Sequence, residues 1–76
     1  MKYVMFDYEI PVIFPTYIGH NELKISSKIP TSAGFIAIGT DKCGVTCECY
    51  GKSISLRLQS REIDSKICQK ILNPHR

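Results

Sequence analysis

Four cysteines, Cys43, Cys47, Cys49 and Cys68, are the residues of this sequence best equipped for chemistry, since four thiols suffice for a tetrahedral zinc ion. Their spacing argues against that use. A zinc knuckle wraps C-x2-C around a turn. Cys47 and Cys49, if they sit on a strand, are about 6.6 Å apart with parallel side-chain directions. The same geometry is poor for a disulfide between them. Unpaired cysteine packs as a small hydrophobe, so core packing is the expected role and no metal is predicted. A thiol nucleophile would need a base, and the chain offers only His20 and His75, the latter next to the C-terminus. Residue types alone do not make a site, so no catalytic residue is assigned and no enzyme is expected.

The tripeptide Gly51-Lys52-Ser53 invites a phosphate-loop reading, which fails twice. The motif G-x-x-x-x-G-K-[ST] needs glycine where this chain has Thr46, and a helix where it continues Ile54-Ser55-Leu56. A turn is the simpler reading, and no cofactor is predicted.

Length bounds the elements that could position these residues. A chain of 76 residues makes one small domain, residues 1–76, because it cannot divide its apolar side chains between two cores. With 43% hydrophobic and 22% charged residues the composition is that of a globular domain rather than a disordered chain. Apolar runs are short, and Asp7 and Glu9 interrupt the N-terminal one, so neither a membrane span nor an export signal is predicted; a cytoplasmic protein with reduced thiols follows. The net charge of +3 comes from dispersed residues and does not single out a nucleic-acid tail.

Lys2 to Tyr8 reads as a strand, and Pro11 to Pro15 as a short edge strand fenced by prolines. A short helix is placed over His20 to Ser26, with an extended Leu23 to Ile25 as the alternative. Pro30-Thr31-Ser32 reads as a break, and Ala33 to Gly39, apolar on both faces, as a central strand. After the turn-rich Gly39 to Gly44, alternation puts Val45, Cys47 and Cys49 inward. The parity then flips to Ile54, Leu56 and Leu58. That flip predicts a two-residue II′ hairpin at Gly51-Lys52, with Cys49 opposite Ile54. Ser60 to Leu72 reads as a helix, N-capped by Ser60, with Ile63, Ile67 and Ile71 inward and Asn73-Pro74 as its stop. The resulting order, β-β-α-β-β-β-α, predicts an α+β domain: a small, largely antiparallel sheet with helices on one face.

Two polar features follow. Asp64 falls inside the apolar arc of the last helix, so it needs partners: free N-terminal N–H groups, Arg57 or Arg61 in a structural role, or a ligand. On the last hairpin Glu48, Tyr50, Ser53, Ser55 and Arg57 face outward beside Phe35, with Ala37 opposite Thr46 and Phe35 opposite Glu48. That face is either solvated or a protein-binding surface.

The segments Ser32-Ala33-Gly34-Phe35, Tyr50-Gly51-Lys52-Ser53-Ile54-Ser55-Leu56, Ser60-Arg61 and Asp64 together resemble a group of small uncharacterised bacterial and phage-borne proteins. These carry S-A-G-F followed by Y-G-x-S-x-S-L-x-L-x-S-R-x-x-D. The resemblance covers roughly the C-terminal 45 residues and implies a compact cytoplasmic accessory protein, from a mobile element, with no activity to carry over. The leading expectation is a non-enzymatic regulatory or inhibitory module that binds a larger, unidentified protein through the open sheet face. A second copy of the chain is an alternative partner. A nucleic-acid-binding accessory protein using Lys2, Lys24, Lys28, Lys52, Arg57 and Arg61 is the runner-up.

Overall fold

The computed structural model describes residues 1–74 and shows a mostly antiparallel sheet with one α-helix among the described residues. Strands β1 (Lys2–Phe6), β2 (Ile10–Phe14), β3 (Pro30–Asp41) and β4 (Gly44–Tyr50) form a sheet in the order β2-β1-β3-β4, with every neighbouring pair antiparallel. A short ribbon of β5 (Lys52–Ser53) and β6 (Leu58–Gln59) follows, and the helix α1 (Glu62–Leu72) ends the fold.

Tyr3, Val4, Met5 and Phe6 are consecutive and all buried, so the sheet needs a cover on each side. On one side α1 packs Cys68, Ile67 and Leu72 over Tyr3, Met5, Ile36 and Cys47. On the other, Ile18, Leu23, Leu56 and Leu58 cover Val4, Phe6, Phe14 and Ala33. The expectation of helices on one face is therefore corrected. Between β2 and β3 only a 3-10 turn forms, at His20–Glu22, and it lies on the side opposite α1. Seven residues cannot repay helix nucleation without an apolar stripe, and Ser27 takes a positive φ that ends any continuation.

The proline-fenced strand is the sheet edge, as expected, and β3 is central. Pro30-Thr31-Ser32 is not a break but the first part of β3, where Ser32 lies opposite Met5 of β1. The β3–β4 connection is tighter than expected. Asp41 pairs with Gly44, so Phe35 faces Tyr50 and Ala37 faces Glu48. The shift is two residues, which leaves every side chain on its expected face.

The predicted hairpin at Gly51-Lys52 does not form. A strand returning beside β4 would need free ladder groups, but α1 lies along that edge. Asn73 Oδ1 accepts the Val45 N–H at 2.9 Å, Gln69 Oε1 the Cys47 N–H at 3.4 Å, and Ser65 Oγ the Cys49 N–H at 2.8 Å. Residues four apart on the helix thus match residues two apart on the strand. The edge is capped by side chains, which also guards it against pairing with another chain. After Gly51 the chain turns at Ile54 to Arg57 instead, closed by Arg57 N–H donating to the Ile54 carbonyl at 3.2 Å. Ile54, expected inward, is 84% exposed.

Gly51 nevertheless has φ +76°, and a Cβ there would lie 3.0 Å from Phe35 Cδ2. Gly51→Val is expected to cost about 1–2 kcal/mol through backbone strain and crowding of the Phe35 ring. Thermal melts of the two proteins check this, and equal midpoints would contradict it.

Candidate functional site

Asp64 is the deepest polar group of α1, with no exposed surface. The helix begins one residue later than expected. Ser60 is still engaged with the ribbon, donating its N–H to the Gly51 carbonyl at 3.0 Å, and Arg61 occupies the cap in extended conformation. Asp64 is then the third helical residue, and its Oδ2 accepts the Arg61 N–H at 3.1 Å. The same oxygen accepts Tyr3 Oη–H at 2.6 Å and Ser32 Oγ–H at 2.7 Å, while Oδ1 accepts Arg61 Nε–H at 2.9 Å and lies 2.8 Å from Nη2. Arg61 extends further, giving Nη2–H to the Tyr8 carbonyl at 2.8 Å and standing over the Tyr8 ring. One carboxylate therefore ties β1, β3, the β1–β2 turn and the helix start. Arg57, the other cation considered for it, is exposed at the β5–β6 turn with φ +56°.

This network also sets the helix phase. Asp64 and Cys68 face the sheet, so Ile63 and Ile71 of the expected inward row lie half exposed and only Ile67 packs. Burial alone would raise the Asp64 pKa, but the hydrogen bonds from Tyr3, Ser32 and Arg61 outweigh it and hold the carboxyl below the usual range. With the native pKa below the unfolded value of about 3.9, the unfolded state binds more protons between the two. The contribution of Asp64 is complete above the unfolded pKa and is lost as pH falls through the native one. Asp7, held low by the Ile29 N–H, adds a term of the same sign. Asp64→Asn is expected to flatten the acid limb of melting temperature against pH, leaving the Asp7 part; parallel curves for the two proteins would contradict this.

The second feature is a groove of about 640 Å³ on the side away from α1, between the 3-10 turn and the start of the β5–β6 ribbon. Its floor is aromatic. Phe35 and Tyr50, cross-strand partners, stack with ring centroids 5.9 Å apart, and His20 meets Phe35 edge-on at 5.8 Å. His20 is buried, with Nε2 2.8 Å from the Gly34 carbonyl oxygen and Phe14 on its other flank. Lys2 and Lys52 line the groove, and among the described residues no carboxylate does. Lys2 Nζ donates to the Ile18 carbonyl at 3.0 Å.

Of the residues expected on the outward face, Phe35, Tyr50, Ser53 and Ser55 come together at this groove. Tyr50 is 50% exposed, whereas Ser53 is buried, its Oγ accepting the Leu56 N–H at 3.3 Å and meeting Ser55 Oγ. Ser53 therefore holds the turn rather than offering a surface. Glu48 and Arg57 are exposed but stand outside the groove. Lys2, His20 and Ile54 belong to it and were not expected there; only the fold, which brings residues 2, 20 and 54 to one place, reveals them.

The cysteines divide. Cys43 is exposed at the β3–β4 turn, and Cys47, Cys49 and Cys68 lie between β4 and α1. Among the described residues no group of three or more His, Cys, Asp or Glu side chains is arranged to hold a metal ion. His20 sits on the opposite side of the sheet from these thiols, so the nucleophile and base considered from the sequence do not meet. His75 lies outside the described residues. Among the described residues no helix is long and apolar enough to cross a membrane. Comparison with protein families, with curated proteins and with solved structures finds no match to this chain.

Proposed function

We propose that the chain is a non-enzymatic interaction module whose groove over Phe35 and Tyr50 takes an acidic segment of a larger protein. The observation that carries this reading is the groove's composition: a stacked aromatic pair flanked by Lys2 and Lys52, with the exposed Ile54 at its margin and, among the described residues, no carboxylate in its lining. Aromatic anchors beside a polar rim are what protein interfaces use for affinity, and two cations select an acidic partner. A regulatory or inhibitory role suits a domain that brings a surface rather than a catalytic set. A cytoplasmic setting suits four unpaired thiols.

Single-stranded nucleic acid is the second reading, favoured by the same exposed Tyr50 with lysine on either side, an arrangement on which a base can stack. Two of the other cations expected to serve it are less available, since Lys28 pairs with Asp7 at 3.4 Å and Arg61 serves Asp64. The two readings separate on retention by the wild-type chain and by Tyr50→Ser. A host protein held at moderate salt by the wild type and lost from the variant supports the module. Retention on oligothymidylate and heparin that fades with salt, with no protein held, supports nucleic acid instead.

A further inference from the structure

We propose that Cys49 and Cys68 form a reversible dithiol–disulfide site, in which Cys49 is oxidised by a hydroperoxide and Cys68 resolves the product. The two sulfurs are in contact, Sγ to Sγ 3.9 Å, across the boundary between β4 and α1. The elements are already tied together at this point by Ser65 Oγ on the Cys49 N–H, and disulfide closure asks for a sulfur approach from 3.9 Å to about 2 Å.

The two thiols are unequal, which fixes their roles. Cys49 is half-buried, while Cys68 is 1% exposed. The Cys68 thiol beside it, with a hydrogen bond from Ser65, holds the Cys49 thiol below its ordinary pKa against its partial burial and the Asp64 charge. The same contact, with burial, pushes Cys68 far up. Cys49 is thus the more accessible sulfur and the one that ionises first, the two properties that select a thiol for oxidation. Cys47 on the same strand is a poor competitor, because burial raises its pKa and its thiol points to the Ser65 carbonyl at 3.4 Å.

In the first step the Cys49 thiolate attacks the terminal oxygen of the hydroperoxide. The O–O bond breaks, an S–O bond forms, and the departing alkoxide takes a proton to leave as alcohol. In the second, Cys68 sulfur attacks the sulfenic sulfur, the S–O bond breaks, and the hydroxide leaves as water with the Cys68 proton. Two thiols are oxidised and one hydroperoxide is reduced. A small dithiol reverses the reaction by exchange.

The test is stoichiometric hydrogen peroxide on the full chain, followed by alkylation and a non-reducing peptide map. The expected product has lost two hydrogens, carries a Cys49–Cys68 linked peptide, keeps Cys43 and Cys47 alkylatable, and is restored by dithiothreitol. Cys68→Ala should stop at a dimedone-reactive sulfenic acid on Cys49. Oxidation confined to Cys43, disulfide-linked dimers through Cys43, or a map in which Cys49 and Cys68 both remain alkylatable would overturn the proposal. Should Cys68→Ala not fold, the wild-type map decides alone.

Discussion

Asp64→Ala is expected to lower stability by about 3 kcal/mol, toward the lower end for breaking a buried ion pair because Arg61 keeps some contact with solvent. The loss is not that of one bond. Tyr3 Oη, Ser32 Oγ and the Arg61 N–H and guanidinium all aim at the vacated volume, and the first two have no water to turn to. A domain of 76 residues has a total stability of about 4 to 11 kcal/mol, so the variant gives up a large share of it and its melting temperature is expected to fall by roughly 12–24 °C. Asp64→Asn keeps the shape and one acceptor and should cost about half as much. Tyr3→Phe supplies the control. Alone it should cost about 1 kcal/mol, and in the Asp64→Ala background it should cost nothing or regain stability, because it removes a buried hydroxyl that has already lost its partner. Denaturant melts of the wild type, the three single variants and the double variant check this; additive losses for Tyr3→Phe and Asp64→Ala would contradict the shared network.

Gly34→Ala is expected to cost about 2–3 kcal/mol, which for a domain of this size lowers the melting temperature by roughly 10–20 °C. A Cβ at Gly34 would stand 2.5 Å from the Tyr50 carbonyl oxygen and 3.3 Å from the Gly51 carbonyl group. Both obstacles are backbone, so no rotamer change relieves the clash. The chain leaving β4 would have to shift, and Tyr50 and Gly51, which line the groove, would shift with it. Gly39→Ala is the comparison, since its Cβ would approach only the Thr46 hydroxyl at 3.3 Å, on an exposed part of β3. Similar melting temperatures for the two variants would contradict the close crossing at Gly34.

The four strands of the main sheet and the final helix were legible in outline because they carry local signals, such as proline at the edge strand, two apolar faces on the central one, and acids followed by Asn73-Pro74 around the helix, whereas the β5–β6 ribbon was not. The burial of Asp64 was legible too, from its place in the apolar arc. Of its partners Arg61 was legible, three residues earlier on the same helix start, but Tyr3 and Ser32 were not, because they lie 61 and 32 residues away in sequence and only the sheet brings them to it. The predicted hairpin misled for a related reason. The alternation of Ile54, Leu56 and Leu58 says that a segment has two sides, but not that another element has already taken the strand edge it would pair with. That element left its own signal in the four-residue spacing of Ser65, Gln69 and Asn73, polar residues fit to serve a strand's free N–H groups. The isoleucines at the same spacing gave a stronger apparent pattern, which turned the wrong side of the helix inward.

The groove is most directly tested by site-specific crosslinking in the host cell, with a photo-reactive phenylalanine analogue replacing Tyr50 in one version of the chain and Ile71, half exposed on α1, in another. The expected result is a discrete crosslinked protein species from position 50, absent from position 71 and suppressed when Lys52→Glu is added. Crosslinking of the same species from position 71 alone, or from both positions equally, would place the partner elsewhere and contradict the groove as the interaction surface.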